Sequence, residues 1–287
     1  MILTFAPASN LGPAPLVLAL AALLGYALAA WPAAMSAAMS ARWPSRALLL
    51  AWVLHGVLLA LDVGGWGRVE PGARLGFGPV LSLTAWLVLA VHSVESHWVP
   101  LPAVRRALAA AGALGVLLAW GFPGELRPAA NVWEPVHWAL GVAAYALFGA
   151  ATLHAWMLGA AERSLRTRGA TLVTAAAADV GPARSSMGLP LLRLERLTFR
   201  FVEAGFVVLT GALVLGVLTA AQWRWNHKSV FSLLGWAVIA VLLWGRHRRG
   251  WRGAYAVRWL YAGAALLLLA YAGSRFVFEV VLGRPAT

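Results

Sequence analysis

Apolar, almost uncharged runs recur along the whole chain, near residues 14–34, 47–63, 75–94, 107–123, 135–160, 202–222, 229–245 and 256–275. A helix rises 1.5 Å per residue, so about 20 such residues cross the hydrocarbon core of a bilayer. Each run therefore reads as a transmembrane helix. The second and eighth are the weakest, because Asp62 and Arg275 sit at their edges and leave uncharged portions of only 47–61 and 259–274. Both require charged side chains that reach the interface from the helix end. Composition agrees: 61% of the 287 residues are hydrophobic and 11% charged, with mean hydropathy +0.76, more apolar surface than one water-soluble core would hide. The expected fold class is all-α, a polytopic bundle of eight transmembrane helices in one domain spanning 1–287. The first span has no basic leader and no Ala-x-Ala site behind it, so it reads as a retained helix.

The formal charge of +13 would suggest nucleic acid in a soluble protein. Here the basic residues lie in short loops between apolar runs, where they act as orientation signals, and no nucleic-acid partner is expected. With the N-terminus outside, sixteen of the 23 Lys and Arg fall on the cytoplasmic side. That places both termini, and the loop around residue 225, on the periplasmic side of a bacterial inner membrane. Residues 161–200 form the longest connection, a basic cytoplasmic loop. Its later part interleaves Leu191, Leu192, Leu194, Leu197 and Phe201 with Arg193, Arg196 and Arg200, the pattern of an interfacial helix whose arginines meet anionic headgroups.

The chain contains no cysteine, which excludes disulfides, thiolate ligation and covalent haem attachment through thiols. No phosphate-binding glycine loop, Gly-x-Ser-x-Gly elbow or His-Glu-x-x-His helix occurs, so no nucleotide-driven or hydrolytic enzyme is indicated. What remains is imidazole and indole. Trp223, Arg224, Trp225, Asn226, His227, Lys228, Ser229, Val230 and Phe231 form an aromatic, basic loop between two apolar runs, followed by Trp236. Indole rings offer flat apolar walls and imidazole ligates metals, a combination suited to a planar metal-bearing ligand such as haem. Arg224, Lys228 and Arg127 are candidates to neutralise its carboxylates. Phe231 and Trp236 stand five residues apart, a spacing that does not place them on one helix face and leaves adjacent walls as the alternative.

Seven histidines sort by depth. His137 lies at the outer end of the fifth span and His227 in the outer loop, while His247 closes the seventh span at the inner side. His55 falls midway along the second span, where an ionisable group marks either a functional site or a neutral imidazole bonded to a neighbouring helix. His92, His97 and His154 read as interfacial residues near headgroups. Most of the sixteen tryptophans are interfacial anchors.

The order Trp223-x-Trp225-Asn226-His227-Lys228-Ser229-x-Phe231, then Trp236, then His247-Arg-Arg-Gly-Trp251-Arg-Gly253 resembles the tryptophan-rich signature of the cytochrome c assembly family of haem-handling membrane proteins. There the pattern runs Trp-x-Trp-Asp-Pro-Lys-Glu-x-Trp. The stretch from His137 through Tyr145 to Phe148 is similar to the family's outer-histidine helix, and the resemblance covers roughly residues 75–283. It is nearest to the shorter branch that includes YpjD and HemX-type proteins. Asn226, His227, Ser229 and Phe231 depart from the signature, and no histidine follows the last span. The resemblance implies non-covalent, b-type haem held by His137 and by His227 in place of the second outer histidine. It implies His247 as the inner ligand, with His55 its candidate partner. The expected partners are haem, the lipid bilayer, and an apocytochrome c or an assembly subunit that performs the covalent step. Two other classes stand beside it: a membrane regulator or scaffold that docks through the aromatic loop, and a small-molecule transporter with His55 and Asp62 on its pathway.

Overall fold

The computed structural model describes residues 14–31, 43–65, 72–95, 102–174, 191–219 and 225–282. Within them the chain is helical: α1 (Ala14–Ala30), α2 (Trp43–Asp62), α3 (Phe77–Glu95), α4 (Pro102–Gly121), α5 (Glu134–Thr174), α6 (Leu191–Thr219), α7 (His227–Arg249) and α8 (Gly253–Leu268). Two π-helical turns, Leu269–Gly273 and Phe276–Val281, extend α8. A two-residue antiparallel pair joins β1 (Ala73–Arg74) to β2 (Leu126–Arg127), with Ala73 opposite Arg127 and Arg74 opposite Leu126. Seven helices are long and apolar enough to cross a bilayer, α2 through α7 and the continuous stretch Gly253–Val281. The apolar helix α1 is shorter, at 17 residues. Large apolar side chains stay exposed on the bundle, among them Val17, Leu50, Val207 and Leu218, as lipid-facing surfaces require.

The two spans expected to be weakest are full-length helices, because their edge charges are paired. Asp62 Oδ1 lies 3.3 Å from Arg74 Nη1. Arg275 Nη1 lies 2.9 Å from Glu279 Oε1 one turn on, so the last helix continues six residues past the arginine. The segment 161–200, expected to be a loop, is helical at both ends. Helix α5 runs on to Thr174, since residues 161–174 include eight Ala, Arg, Leu or Glu among the fourteen and contain no proline. The Leu/Arg-patterned part forms one continuous helix with the sixth span.

The chain folds as two compact units. The first comprises Met1–Val94, Leu101–Trp138 and Tyr271–Thr287. Here α1 packs against α2 and α4, and Gly112 of α4 meets the Tyr26 ring so closely that an added Cβ would collide with it, the small-residue contact that lets helix backbones approach. Helices α2 and α3 are joined by a reciprocal tryptophan pair. Trp52 Nε1 donates to the Trp86 carbonyl at 3.0 Å, Trp86 Nε1 donates to the Trp52 carbonyl at 2.9 Å, and the rings stack 4.8 Å apart at 4°. Stacking and two indole hydrogen bonds together fix both the rotation and the depth of one helix against the other. The C-terminal π-helical turns hold the entry to α3: Tyr271 Oη donates to the Leu75 carbonyl, Glu279 Oε2 accepts from Phe77 N at 3.0 Å, and Phe77 packs on Phe276.

The second unit comprises Glu95–Pro100 and Ala139–Ala270. Its core joins Phe148 and Ala151 of α5, Phe199, Val202 and Leu209 of α6, Ile239 and Leu242 of α7, and Leu260 and Leu267 of α8. Tyr145 Oη donates to the Leu267 carbonyl, giving a partner to a carbonyl just before the ladder widens to π geometry.

Candidate functional site

Helix α7 carries two of the expected ligands at its two ends. It starts where Asn226, in extended conformation, caps it: Asn226 Oδ1 accepts from Ser229 N and from Ser229 Oγ, both at 2.9 Å. The two positions that depart from the acidic signature thus close the first turn, because an Asn at the N-cap satisfies an amide two or three residues on. This fixed start displays His227 and Lys228, both exposed, beside Trp225 at 73% exposure. Trp223 and Arg224 lie outside the described residues. His247 is exposed in the last turn, twenty residues from His227. At 1.5 Å per residue the two imidazoles stand roughly 30 Å apart along the axis, about the thickness of a hydrocarbon core. No single ligand could be held by both.

The aromatic pair farther along α7 splits in role. Phe231 is half-buried. Trp236 packs between helices: its Nε1 donates to Thr210 Oγ1 at 2.9 Å and its ring stacks on Phe206 at 5.5 Å. Its indole N–H is engaged in joining α6 to α7.

His137 belongs to the first unit and occupies the first turn of α5, half-buried. Its turn is built by Asn131, whose Oδ1 accepts from Trp133 N and Glu134 N at 3.0 Å, and by Glu134, whose Oε2 accepts from Ala130 N at 2.7 Å. Arg127 Nε lies 3.9 Å from Glu134 Oε1, so this candidate for a ligand carboxylate already has one partner. Asn226 caps the start of α7, and Asn131 closes the turn that leads into α5. The spacing Asn-x-x-Glu and Asn-x-x-Ser is the signal that would have found them.

His55 is almost completely buried, at 1% exposure. Tyr26 Oη lies 2.9 Å from its Nδ1 and Ser82 Oγ 2.7 Å from its Nε2. A neutral imidazole has one donor and one acceptor nitrogen, and a hydroxyl can match either. Both nitrogens are taken, so in this arrangement neither is open to iron. His92 and His154 are buried among the helices. His154 Nδ1 lies 2.7 Å from the Ala150 carbonyl, one turn back, and its ring rests on Phe201. His97 lies outside the described residues.

Among the described residues no three His, Cys, Asp or Glu side chains gather to hold a bare metal ion. Haem asks less, since its porphyrin supplies four nitrogens and the protein supplies at most two axial ligands. The exposed imidazole of His227 with Lys228 and Trp225 beside it fits that requirement in donor type, charge and apolar contact. His137 in the first turn of α5 and His247 in the last turn of α7 share its donor type.

Long apolar helices with imidazoles, indoles and cations at their ends define the class, a helical membrane protein. The sequence model of the cytochrome C assembly proteins matches residues 47–282, and the chain belongs to that family. It is similar to the inner membrane protein YpjD of Escherichia coli (strain K12), 28% identical over 273 residues that cover 81% of this chain and 98% of the relative. A 28.8 kDa protein of Azospirillum brasilense is 28% identical over 233 residues, covering 76% of this chain and 81% of the relative. The cytochrome c biogenesis protein CcsA of Prochlorococcus marinus (strain NATL1A) is 33% identical over 86 residues, 28% of this chain and 27% of the relative. The near full-length similarity to YpjD sets the chain in the YpjD-like branch. No solved structure matches the chain.

Proposed function

We propose that this protein binds haem non-covalently in a bacterial inner membrane and holds or presents it for cytochrome c-type biogenesis. The observation that carries the reading is the capped start of α7. It holds an exposed imidazole at His227 next to a cation at Lys228 and an exposed indole at Trp225, on a member of the cytochrome c assembly family. Bound haem would supply the iron porphyrin that a cytochrome receives. This chain's residues would supply axial nitrogens from His137, His227 and His247, carboxylate neutralisation from Lys228, Arg224 and Arg127, and apolar walls from Trp223, Trp225 and Phe231. The haem is held non-covalently, as b-type haem is, because the chain has no cysteine to attach it. An apocytochrome or assembly subunit completes the covalent step elsewhere. In this reading α1 is an eighth span, both termini face the periplasm, and the arginine-rich ends of α5, α6 and α7 face the cytoplasm. The transporter reading rested on His55 and Asp62 as members of a polar pathway. The structure supports neither as an open group, since the first bonds Tyr26 and Ser82 and the second pairs with Arg74.

The experiment is an absorption spectrum of detergent-purified protein, before and after dithionite, for the wild type and for His137→Ala, His227→Ala and His247→Ala. A haem band that weakens or shifts in the His227→Ala variant supports the assignment. Protein that purifies without haem from haem-replete cells, or a band indifferent to all three substitutions, would overturn it.

A further inference from the structure

The basic end of the second unit is organised beyond what orientation in the membrane demands. Helix α7 ends at Gly250, whose backbone is left-handed (φ 66°) and whose N–H bonds the Gly245 carbonyl. That turn brings Trp251 back onto α7 at Gly245, where any added Cβ would collide with the indole. Trp251 then packs edge-on against Tyr255 at 4.8 Å and stacks on Trp259 at 5.6 Å. The arginines that flank this turn in sequence fall into two groups. Arg246 is inward-facing, 3.1 Å from Glu195 Oε1 and 3.7 Å over the Phe199 ring, so it fastens α7 to α6 and consumes the nearby carboxylate. Arg248, Arg249 and Arg252 are exposed. Among the described residues none of these three has a carboxylate within ion-pair distance. Arg249 lies 5.0 Å over the ring of Trp244, which holds its guanidinium beside an exposed indole.

A topology signal needs only the number of positive charges near a span. It does not need a wedged tryptophan, a fixed turn and a guanidinium poised over an indole. We propose that this turn is a binding site for an anionic phospholipid headgroup. Its phosphate would be met by Arg248, Arg249 and Arg252, and its glycerol and upper acyl region would lie along Trp244 and Tyr255. Three guanidiniums in one short turn match a phosphodiester, which accepts their N–H groups and neutralises their charge. The exposed aromatic faces supply the half-apolar, half-wet contact found at headgroup depth. Each basic residue near an anionic headgroup contributes about 1 kcal/mol, or roughly fivefold in affinity.

The test uses full-length protein in neutral detergent and dansyl-labelled phosphatidylglycerol, read by energy transfer from tryptophan. Unlabelled phosphatidylglycerol should displace the probe, while phosphatidylcholine and inorganic phosphate should not. The triple variant R248Q/R249Q/R252Q should weaken binding roughly a hundredfold, each single variant roughly fivefold, and R248K/R249K/R252K should recover most of the loss. Arg246 and His247 stay untouched, and circular dichroism reports that the variants are folded. Should the triple glutamine variant misfold, the single variants carry the same test. Equal displacement by phosphatidylcholine points to unspecific lipid contact and overturns the proposal. Equal displacement by inorganic phosphate, or unchanged binding by the glutamine variants, does the same.

Discussion

His55 and His227 are the same residue type, each beside hydroxyl or aromatic neighbours, yet the two regions that hold them use imidazole in opposite ways. In the first unit, α1, α2 and α3 converge on His55 and close both of its nitrogens with Tyr26 and Ser82. At the start of α7 the polar partners are spent on the backbone instead: Asn226 and Ser229 cap the helix and His227 is exposed. A buried polar group that lacks a partner costs about 1–3 kcal/mol, so a histidine inside the bundle is pulled into a closed network. One at a helix end in contact with water has no such penalty and stays available. Burial, more than residue type, separates the bonded imidazole of His55 from the exposed one of His227.

The sharpest way to break this comparison is to open a closed network and see whether haem content follows. Glu279→Ala should have the largest effect. It strands Arg275, whose side chain is only 13% exposed, and frees the Phe77 amide that Glu279 accepts from. Removing one partner of such a pair costs about 3 kcal/mol, read as a drop of roughly 10 °C in the thermal midpoint in detergent. Glu279→Gln, which keeps an acceptor for Phe77, should recover part of it. His55→Ala comes next, at about 2 kcal/mol, for two unpartnered hydroxyls and a small cavity. Haem bound per folded protein should not change. A lost haem band with an unmoved midpoint would reverse the assignment and make His55 a ligand.

Asn226→Ala should cost about 1 kcal/mol through the lost cap, with Asn226→Asp retaining the stability. It also asks whether the capped start is what presents His227, since fraying the first turn should then reduce haem occupancy along with the midpoint. Lys228→Gln should be the mildest for stability, within about 0.5 kcal/mol as for an exposed residue. Its measurable consequence should be a weaker haem affinity in a titration of the stripped protein. Stability unaffected and affinity unaffected together would remove Lys228 from the site.

Parts of this molecule were legible in one dimension. The eight apolar runs sit where α1 through α8 are found, because helix length and hydropathy depend on local composition alone. The order of Trp223, Trp225, Lys228, Trp236, His247 and Trp251 identified the family for the same reason, since a motif is a property of adjacent residues. The helix ends were read less well. The continuation of α5 to Thr174 and of the last helix past Arg275 to Val281 escaped an argument that treated charge as a stop. Glu279 was visible in the sequence, but its pairing with Arg275 and its reach to Phe77 were not.

What the sequence by itself determined is that the chain is a membrane-spanning helical protein of the cytochrome c assembly type, rich in histidine and tryptophan at recognisable positions. What only the tertiary structure decided is which of those groups are spent on holding the helices together. His55 meets Tyr26 and Ser82, and Trp236 meets Thr210, through the relative rotation and depth of helices 26 or more residues apart in sequence. Those two quantities are set by packing between helix faces, such as the locked pair of Trp52 and Trp86. Hydropathy along a single strand of sequence carries no record of them.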